Sequence, residues 1–306
     1  PLVPRNCSKA SGTCEGIVHD LHYYMPKQKV CRVMATDQDH KMPLDFRDED
    51  VNLVGEDGWG PSFPLIDSWA AVSPPGQLHL NSSLVRFRNV VRWTQQQDVV
   101  IREVFPHVPP YDNWACAGTQ GCGGPPDGDD VLTEVASPPS SGDLARYSFL
   151  TQAVQSRCVE WQREEHRRRP LNSGSLYWSL NSVWTAPTWG HIESSGRFKM
   201  AYHSVKRVDA DVAVYATVTP NAELLKARNE SIPEQTFLRV DAHNDGMDAL
   251  RSLRCTLLLL KDDGTTDEEV ALPPVAIGAH GRALVANRSN VCPKVGCLGL
   301  IVCNAT

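Results

Sequence analysis

The spacing of apolar residues divides the chain into two regions with different periodicities. In the first region the clearest pattern is helical, because apolar side chains between Leu144 and Arg169 recur every three or four positions and fall on one helix face. Asp143 suits the N-cap position and Pro170 suits a stop. We therefore predict one long amphipathic helix, whose buried face carries Leu144, Tyr147, Leu150, Val154, Cys158 and Trp161.

The chain on either side of this helix is less regular. Few regular elements are predicted in residues 1 to 60, and residues 106–142 have the Pro, Gly and Asp content of a loop. An apolar run from Leu176 to Leu180 follows a glycine-containing turn and predicts a buried strand. A strand that follows a long helix is typical of a βα-barrel or of a doubly wound sheet. Near-helical spacings between residues 80 and 104 predict one or two helices, with apolar positions at Leu84, Phe87, Val90, Val91, Val99 and Val100.

After about residue 208 apolar and polar residues alternate, which is the period of half-buried strands. Turn sequences such as Asn244-Asp-Gly separate the alternating segments. Short strands at this spacing over about 100 residues predict a β-sandwich, with a domain boundary near Arg207. We expect His243, beside the turn, to be solvated and not a metal ligand. The predicted strands are Val212–Val218, Thr236–Ala242, Leu253–Leu260, Val275–Val285 and Cys297–Cys303.

Charge and hydropathy exclude two classes of partner. Lys and Arg number 30 against 36 Asp and Glu, for a net charge of -6, and no basic stripe interleaved with aromatic residues is present. Nucleic acid is therefore not an expected partner. The longest apolar runs, such as Cys255 to Leu260, are far shorter than the roughly 20 residues that a membrane-spanning helix needs.

Cysteines and glycosylation sequons indicate the secretory pathway. The chain has ten cysteines, and none lies in a CxxC pair or near a His pair with zinc spacing, so we predict disulfides, one of which could join Cys116 to Cys122. The sequence starts at Pro1, with neither a methionine nor an apolar leader. We therefore expect this chain to be a processed part of a longer lysosomal or extracellular glycoprotein. The N-glycosylation sequons begin at Asn6, Asn81, Asn229, Asn287 and Asn304.

Four segments carry motifs in a fixed order. Gly174 to Trp184, followed by Ala-Pro-Thr-Trp and Gly-Arg-Phe-Lys, resembles the eighth barrel strand of β-mannosidases in glycoside hydrolase family 2, whose pattern is GxLYWQLNDxW, APSW and GRWK. Phe149 to Glu160 is similar to that family's preceding helix, YLTQxxQxxCV. Gly55 to Pro64 resembles the nucleophile segment SE[YF]G[FW]QSxPSF, and His19 to Tyr24 resembles GDxH[YF][YW].

This resemblance implies an α/β region followed by an all-β region. Residues 1–207 would be the C-terminal part of a (β/α)₈ TIM barrel, with its late strands and helices, and residues 208–306 an immunoglobulin-like β-sandwich. The implied activity is a retaining glycoside hydrolase that releases terminal β-linked mannose from oligosaccharides or glycoproteins, without metal or organic cofactor. The family's acid/base Glu would precede residue 1, since Asn229-Glu230 lies in a sequon. We therefore expect this chain to be inactive alone and to require an N-terminal chain or segment that completes the barrel.

The resemblance implies a nucleophile at Glu56. Gly55 and Asp57 stand where the family has Ser and an aromatic residue, and Ser182 stands where it has Asp. A carboxylate at Asp57 would disfavour ionised Glu56 unless the two side chains diverge, as neighbours on a strand do.

The other implied residues bind the sugar. Tyr23 would orient the nucleophile through its hydroxyl or serve as a core aromatic, with Tyr24 as its alternative. His22 would bind a sugar hydroxyl or a strand-end carbonyl. Trp178 would stack on a sugar, and Asn181 and Trp184 would line the pocket mouth. Three further matched residues, Trp189, Arg197 and Lys199, are expected to hold the junction between barrel and sandwich.

Two other functions stay open at this level. A catalytically decayed relative would keep the tryptophans and act as a glycan-binding or structural secreted glycoprotein. A β-glucuronidase or β-galactosidase fits the strand motif less well.

Overall fold

The computed structural model describes residues 20–23, 53–58, 60–80, 82–89, 101, 141–168, 174–219, 237–261, 263–289 and 298–305. Contacts between these residues divide the chain into two compact units, the first ending at Val205 and the second beginning at Lys206. Within the described ranges no helix has the length and apolar character to span a membrane.

The first unit combines a parallel sheet with helices. Its strands β1 (Asp20–Tyr23), β2 (Leu53–Asp57) and β3 (Ser175–Tyr177) lie side by side in that order, and both pairings are parallel. The helices are α1 (Ile66–Ala70), α2 (Ser83–Arg88), α3 (Ser141–Arg168) and α4 (Met200–Val208), of which α4 begins in this unit. Two strands thus come from the region where few elements were predicted, because strands of four or five residues are too short to show a period.

Helix α3 confirms the strongest sequence prediction. Asp143 lies in its first turn, not at the N-cap, and the helix ends at Arg168, shortly before Pro170. Cys158 on its inner face is disulfide-bonded. The face packs against Phe63 and Trp69, which follow β2, and together they form the core of the first unit. The buried apolar α3 residues of this core are Leu144, Tyr147, Leu150, Val154, Cys158 and Val159, and Trp161 is partly buried against them.

Helix α2 corrects part of the prediction for residues 80 to 104. The Oγ of Ser82 accepts a hydrogen bond from the Val85 N–H at 3.2 Å and caps the helix, and Val85 is the residue that it buries. Phe87, expected on the apolar face, is instead 70% exposed. The pattern placed the buried face wrongly because one and a half turns do not define a helical period. Val90, Val91, Val99 and Val100 lie outside the described residues.

The second unit consists of two antiparallel sheets. One has the order β4-β5-β9, and the other has the order β10-β6-β7 with β8 also paired to β6. The turn at Gly278 to His280 divides the predicted segment Val275–Val285 between two strands. Strand β7 was not predicted, since its sequence TDEEVA is mostly polar and exposed. The strands are β4 (Val212–Thr219), β5 (Phe237–Asn244), β6 (Leu250–Leu260), β7 (Thr266–Ala271), β8 (Val275–Ile277), β9 (Gly281–Ser289) and β10 (Leu298–Ala305).

Both sheets of the second unit contribute to one apolar core. Val240 of β5 and Leu257 of β6 are central members, packed with Ile277 and Val285. A disulfide joins Cys255 to Cys303, which face each other across β6 and β10. This unit therefore depends on apolar packing and a cross-strand covalent link.

The expectation that His243 is solvated is wrong. It is buried, and its ring packs edge-on against Tyr215 with 5.0 Å between centroids. The reason is its register, since His243 pairs with Ala213 of β4 and with Arg282 of β9 and so sits inside a three-stranded sheet.

The predicted modification sites divide into two groups. Asn287 on β9 and Asn304 on β10 are exposed. Asn6, Asn81, Asn229 and the Cys116–Cys122 bridge lie outside the described residues.

Candidate active site

Four of the predicted residues, His22, Tyr23, Glu56 and Trp178, lie along the chain at the carboxyl ends of the three parallel strands. In the sheet register His22 of β1 pairs with Glu56 of β2, and Asp57 pairs with Tyr23 on one side and Tyr177 on the other. Trp178 follows directly after β3. Ligand sites of parallel α/β folds form at this edge, so the position suits a functional site.

Strand β2 contains a bulge at Gly55. On the β1 side Leu21 pairs with Val54 and the next residue pairs with Glu56, so Gly55 is skipped; on the β3 side the register also shifts between Val54 and Asp57. Val54 and Asp57 are both buried. A bulge inserts an extra residue and changes the direction of a neighbouring side chain. Glu56 is that neighbour.

Asp57 points towards helix α3. Its Oδ2 lies 2.9 Å from Nδ1 of His166 and 3.9 Å from Nη1 of Arg163, and the Asp57 and His166 side chains are each 1% exposed. Glu56, the residue between this buried carboxylate and the bulged Gly55, is half-buried. The charge of Asp57 is thus directed to partners on α3, and the role of Glu56 as a nucleophile stays a prediction.

Strand β3 shows the same division between its faces. Nη1 of Arg163 donates to the carbonyl oxygen and to the Oγ of Ser175, both at 2.9 Å, and the guanidinium lies 5.5 Å from the centroid of the Tyr177 ring. Ser175 and Tyr177 thus face α3. The alternate residues Leu176 and Trp178 are 62% and 51% exposed. Trp178 therefore lies with Leu176 on the exposed side of β3.

The backbone joins Trp178 to β2. The Trp178 N–H donates to the carbonyl oxygen of Asp57 at 2.5 Å, and the peptide bond that follows Trp178 is cis. The position of the indole-bearing residue is thus tied to the residue next to Glu56.

Asn181 and Trp184 lie farther along the chain after β3. Asn181 is exposed and forms an isolated bridge with Ile192. Trp184 packs against the end of α2, with its ring centroid 6.3 Å from that of Phe87 and 5.1 Å from the Arg88 guanidinium. Its ring remains partly exposed. For His22 and Tyr23 the structure describes the backbone, which lies at the carboxyl end of β1.

The segment after β2 is fixed by polar side chains of α3. Gln155 donates to the Gly60 carbonyl at 2.9 Å and accepts from the Ser62 hydroxyl at 2.6 Å. The Phe63 N–H donates to Thr151 Oγ1 at 3.0 Å, and Gln152 donates to the Phe63 carbonyl at 2.9 Å. These three α3 residues belong to the LTQxxQ motif. Sequence reasoning used the motif as a landmark and missed its role, although polar residues at these positions of an otherwise apolar helix were a usable signal.

Lys199 links the segments that follow β2 and β3. Its fully buried Nζ donates to the Ser62 carbonyl at 3.0 Å and to the Thr188 carbonyl at 3.2 Å. Burial lowers the pKa of Lys199 to about 7, and the negative charge of Glu193 opposes this shift. These contacts lie beside the candidate site. The role expected for Lys199 at the junction between barrel and sandwich does not explain them. Arg197, expected at the same junction, pairs with Asp67 of α1 at 2.8 Å.

Two more buried groups complete the surroundings. The His191 ring stacks on Tyr177 at 4.3 Å, and burial together with the charges of Lys199 and Arg163 lowers the pKa of His191 to about 3. Glu193 accepts hydrogen bonds from the Leu65 N–H at 2.7 Å and from the Ser68 hydroxyl at the start of α1. His191 is therefore neutral near pH 7, and Glu193 serves as a cap for α1. Among the described residues no group of three His, Cys, Asp or Glu could hold a metal ion.

Comparisons with known proteins agree with the motifs. No family model matches the chain. It is 28% identical to β-mannosidase A of Aspergillus niger over 192 residues, which is 58% of this chain and 18% of that protein. It is 35% identical to β-mannosidase of Capra hircus over 81 residues, 23% of this chain and 9% of that protein. The aligned part thus spans less than a fifth of the length of these relatives.

Among solved structures, a β-D-mannosidase from Dictyoglomus thermophilum is similar over 94% of this chain and 28% of its own, with a TM-score of 0.62 and 15% sequence identity. At that identity the likeness concerns the fold. The resemblance indicated by the four motifs is therefore confirmed: this chain is similar in sequence to β-mannosidases and has the fold of part of one.

Proposed function

We propose that this chain supplies the nucleophile half of a retaining, β-mannosidase-like glycoside hydrolase, which releases terminal β-linked mannose from oligosaccharides or glycoproteins. The observation that carries the proposal is the position of Glu56. It follows a bulge at the carboxyl edge of a parallel sheet, in register with His22 of β1, and the next residue, Asp57, accepts the hydrogen bond of the Trp178 N–H. Sequence similarity to β-mannosidases over 58% of the chain supports the substrate class.

The proposed architecture is the C-terminal part of a (β/α)₈ barrel in residues 1–207 and an immunoglobulin-like sandwich in residues 208–306. A three-stranded parallel sheet with helix α3 on one face and exposed Leu176 on the other supports this, because parallel sheets are normally covered on both faces. In the proposal an N-terminal chain or segment supplies the remaining strands. We call this chain together with that segment the assembled protein.

The chemistry follows from two carboxyl groups about 5 to 5.5 Å apart. Glu56 attacks the anomeric carbon and forms a covalent mannosyl ester, while an acid on the N-terminal segment protonates the departing glycosidic oxygen. In the second step that same group removes a proton from a water molecule. The water attacks the anomeric carbon, releases Glu56 and gives mannose with retained configuration. The contacts of Asp57 support this role for Glu56, since they direct the neighbouring charge to His166 and Arg163 of α3.

The remaining residues would hold the sugar. Tyr23, paired in register with Asp57, would orient the nucleophile, and His22, paired with Glu56, would bind a sugar hydroxyl. Trp178 offers an indole face to the sugar C–H groups. Asn181 and Trp184 would line the mouth of the pocket.

Covalent trapping tests the proposal. The assembled protein is incubated with a 2-fluoro mannosyl donor, digested, and its peptides are analysed by mass spectrometry. We expect the label on Glu56. Glu56→Gln should abolish it, whereas Asp67→Asn, which changes an exposed ion pair on α1, should leave it unchanged. Label on another carboxyl group overturns the assignment of Glu56. A protein that binds mannosides without becoming labelled would be the glycan-binding relative instead.

We also propose that the protein is a lysosomal or extracellular glycoprotein. Exposed Asn287 and Asn304 support this, since an attached glycan needs a solvent-facing asparagine. Digestion with an N-glycosidase should lower the mass of protein secreted from a eukaryotic host, and an unchanged mass contradicts glycosylation.

A further inference from the structure

We propose that Asp57 is a positioning residue, which sets the geometry between Glu56 and Trp178 through its attachment to His166 and Arg163. This inference rests on the proposed function, in which Glu56 is the nucleophile and Trp178 binds the sugar. It adds a group on the opposite side of the sheet, which does not touch the substrate.

Asp57 is connected to both residues of the candidate site. It follows Glu56 in the chain, and its carbonyl oxygen accepts the hydrogen bond of the Trp178 N–H. Any rotation of the Asp57 peptide would therefore move Glu56 and Trp178 together. The orientation of Asp57 therefore affects the positions of both the nucleophile, Glu56, and the sugar-binding residue, Trp178.

The side chain of Asp57 is held from helix α3. His166 Nδ1 lies 2.9 Å and Arg163 Nη1 lies 3.9 Å from the same oxygen, Oδ2. Arg163 also binds the backbone carbonyl and the hydroxyl of Ser175 on β3. The long helix thus reaches two neighbouring strands of the sheet through one cluster of side chains. A displacement of β2 relative to β3 would break these contacts.

Stability is a poor explanation for this cluster. Removing charged groups from water costs several kcal/mol per ion, and a buried pair is often no more stabilising than apolar residues of the same volume. Asp57 and His166 are nearly inaccessible to water, while the other buried polar residues of α3, such as Thr151 and Gln155, are uncharged and hydrogen-bonded. The Asp57 carboxylate nevertheless contacts two α3 side chains through one oxygen, and these contacts fix the direction in which the residue faces. Positioning accounts for its presence at this edge of the sheet.

The test separates reaction rate from binding and from folding. In the assembled protein, the rate constant for covalent labelling of Glu56 by the 2-fluoro mannosyl donor and the dissociation constant of that donor are measured separately. The variant Asp57→Asn keeps shape and removes charge. We expect its labelling rate constant to fall about tenfold to a hundredfold, as small misplacements of a reacting group do. The dissociation constant should change by a smaller factor than the rate constant, because binding tolerates a small displacement that slows covalent attack.

Two further variants complete the design. His166→Gln removes the partner and leaves Asp57 with Arg163, so it tests the link even if Asp57→Asn does not fold. The double variant Asp57→Asn with His166→Gln should lose no more rate than the worse single variant, since both act through one contact. Asp67→Asn is the matched control, because it removes the charge of an exposed ion pair elsewhere in the first unit.

Each outcome decides the question. A labelling rate constant that is unchanged in the variants, with only the folded fraction reduced, shows a structural role and overturns the inference while leaving the proposed function intact. Additive losses in the double variant also overturn it, because the two residues then act separately. A wild-type protein that is never labelled overturns the proposed function and the positioning role with it.

Discussion

The two units differ in the ionisable side chains that they bury. Near β2 and β3 the first unit buries Asp57, His166 and Lys199, whereas the described core of the second unit, with His243 buried beside Tyr215, is built from apolar side chains and a disulfide. Burying a charge is costly unless it is paired, and burying a methyl group is favourable anywhere. The second unit therefore gains its stability from packing, and the first accepts costly groups where strand ends and loops must be held in a set geometry.

The position of the charges supports this contrast. Asp57 lies at the end of β2, and Lys199 binds the carbonyl groups of Ser62 and Thr188 in the segments that follow β2 and β3. These are the segments around the candidate site. The comparison predicts that changes in the first unit alter activity out of proportion to stability, and that changes in the second unit do the reverse.

The largest effect is expected at Glu56. Glu56→Gln in the assembled protein should lower kcat towards an aryl β-mannoside by roughly a thousandfold or more, about 4 kcal/mol in the barrier, because the covalent step loses its nucleophile. The midpoint of urea unfolding should change little, since the side chain is only half-buried and Gln has nearly the same shape. If Glu56→Gln keeps the wild-type kcat, changes in the first unit do not act mainly on activity, and the contrast between the two units is wrong.

Leu257→Ala tests the second unit. Its side chain is buried in the core between the sheets, so the variant should lose about 2 to 5 kcal/mol in the free energy of unfolding. The kcat per labelled molecule should be unaltered. Leu284→Ala on β9 is the matched control, because Leu284 is 52% exposed and its loss should cost less than about 0.5 kcal/mol. Equal losses at the two positions would show that apolar packing is not what holds this unit.

Lys199 should give the first unit a distinctive pH dependence. Its pKa is about 7 in the folded protein and 10.5 in the unfolded chain, so between these values the unfolded chain binds one proton more. Stability from this group therefore rises with pH in that window, by up to about 1.4 kcal/mol per pH unit, and its penalty is fully present below pH 7. Lys199→Met should abolish this contribution.

Urea unfolding at pH 7, 8, 9 and 10 measures the effect. The difference in the free energy of unfolding between wild type and Lys199→Met should increase with pH. Lys261→Met, which alters an exposed lysine paired with Asp267, should give a difference that is flat in pH. A flat difference for Lys199 as well would mean that its ammonium group is not desolvated.

The smallest effect is expected for a surface ion pair of the second unit. Arg239 donates to both carboxylate oxygens of Asp241, at 2.8 and 2.9 Å, and is largely exposed. This hydrogen bonding raises the pKa of Arg239. Arg239→Met should cost at most about 1 kcal/mol in the free energy of unfolding, and less at 1 M salt. If Arg239→Met loses several kcal/mol in the free energy of unfolding at every salt concentration, an exposed ion pair matters as much as a buried one. The contrast between buried and exposed charges would then be wrong.

The sequence predicted elements wherever a period extends over enough residues. Helix α3 repeats its apolar positions over many turns, and the strands β4, β5, β6 and β10 are eight residues or longer and rich in apolar residues, so their places follow from local sequence. Strands β1 and β2 are too short for a period, and polar β7 does not alternate. Motif resemblance compensated for this at β2, where it drew attention to Glu56 before any strand was predicted there. The role of Glu56 stays a prediction.

Non-local contacts could not be predicted in this way. Asp57 meets His166 of α3, and Cys255 meets Cys303, because the fold brings distant segments together. The burial of Lys199 depends on two carbonyl groups from separate loops, and neither is marked by residue type. His243 was assigned to the surface because its neighbours are polar, although its register places it inside a sheet.

The role of Glu56 can be tested most directly by chemical rescue. Glu56→Ala in the assembled protein should be inactive towards an aryl β-mannoside with a good leaving group, and added azide should restore turnover. The product should be α-mannosyl azide, because azide attacks from the side where the carboxylate stood and no second displacement follows. Release of β-mannosyl azide, or no rescue from a variant that folds and binds the mannoside, would contradict Glu56 as the nucleophile.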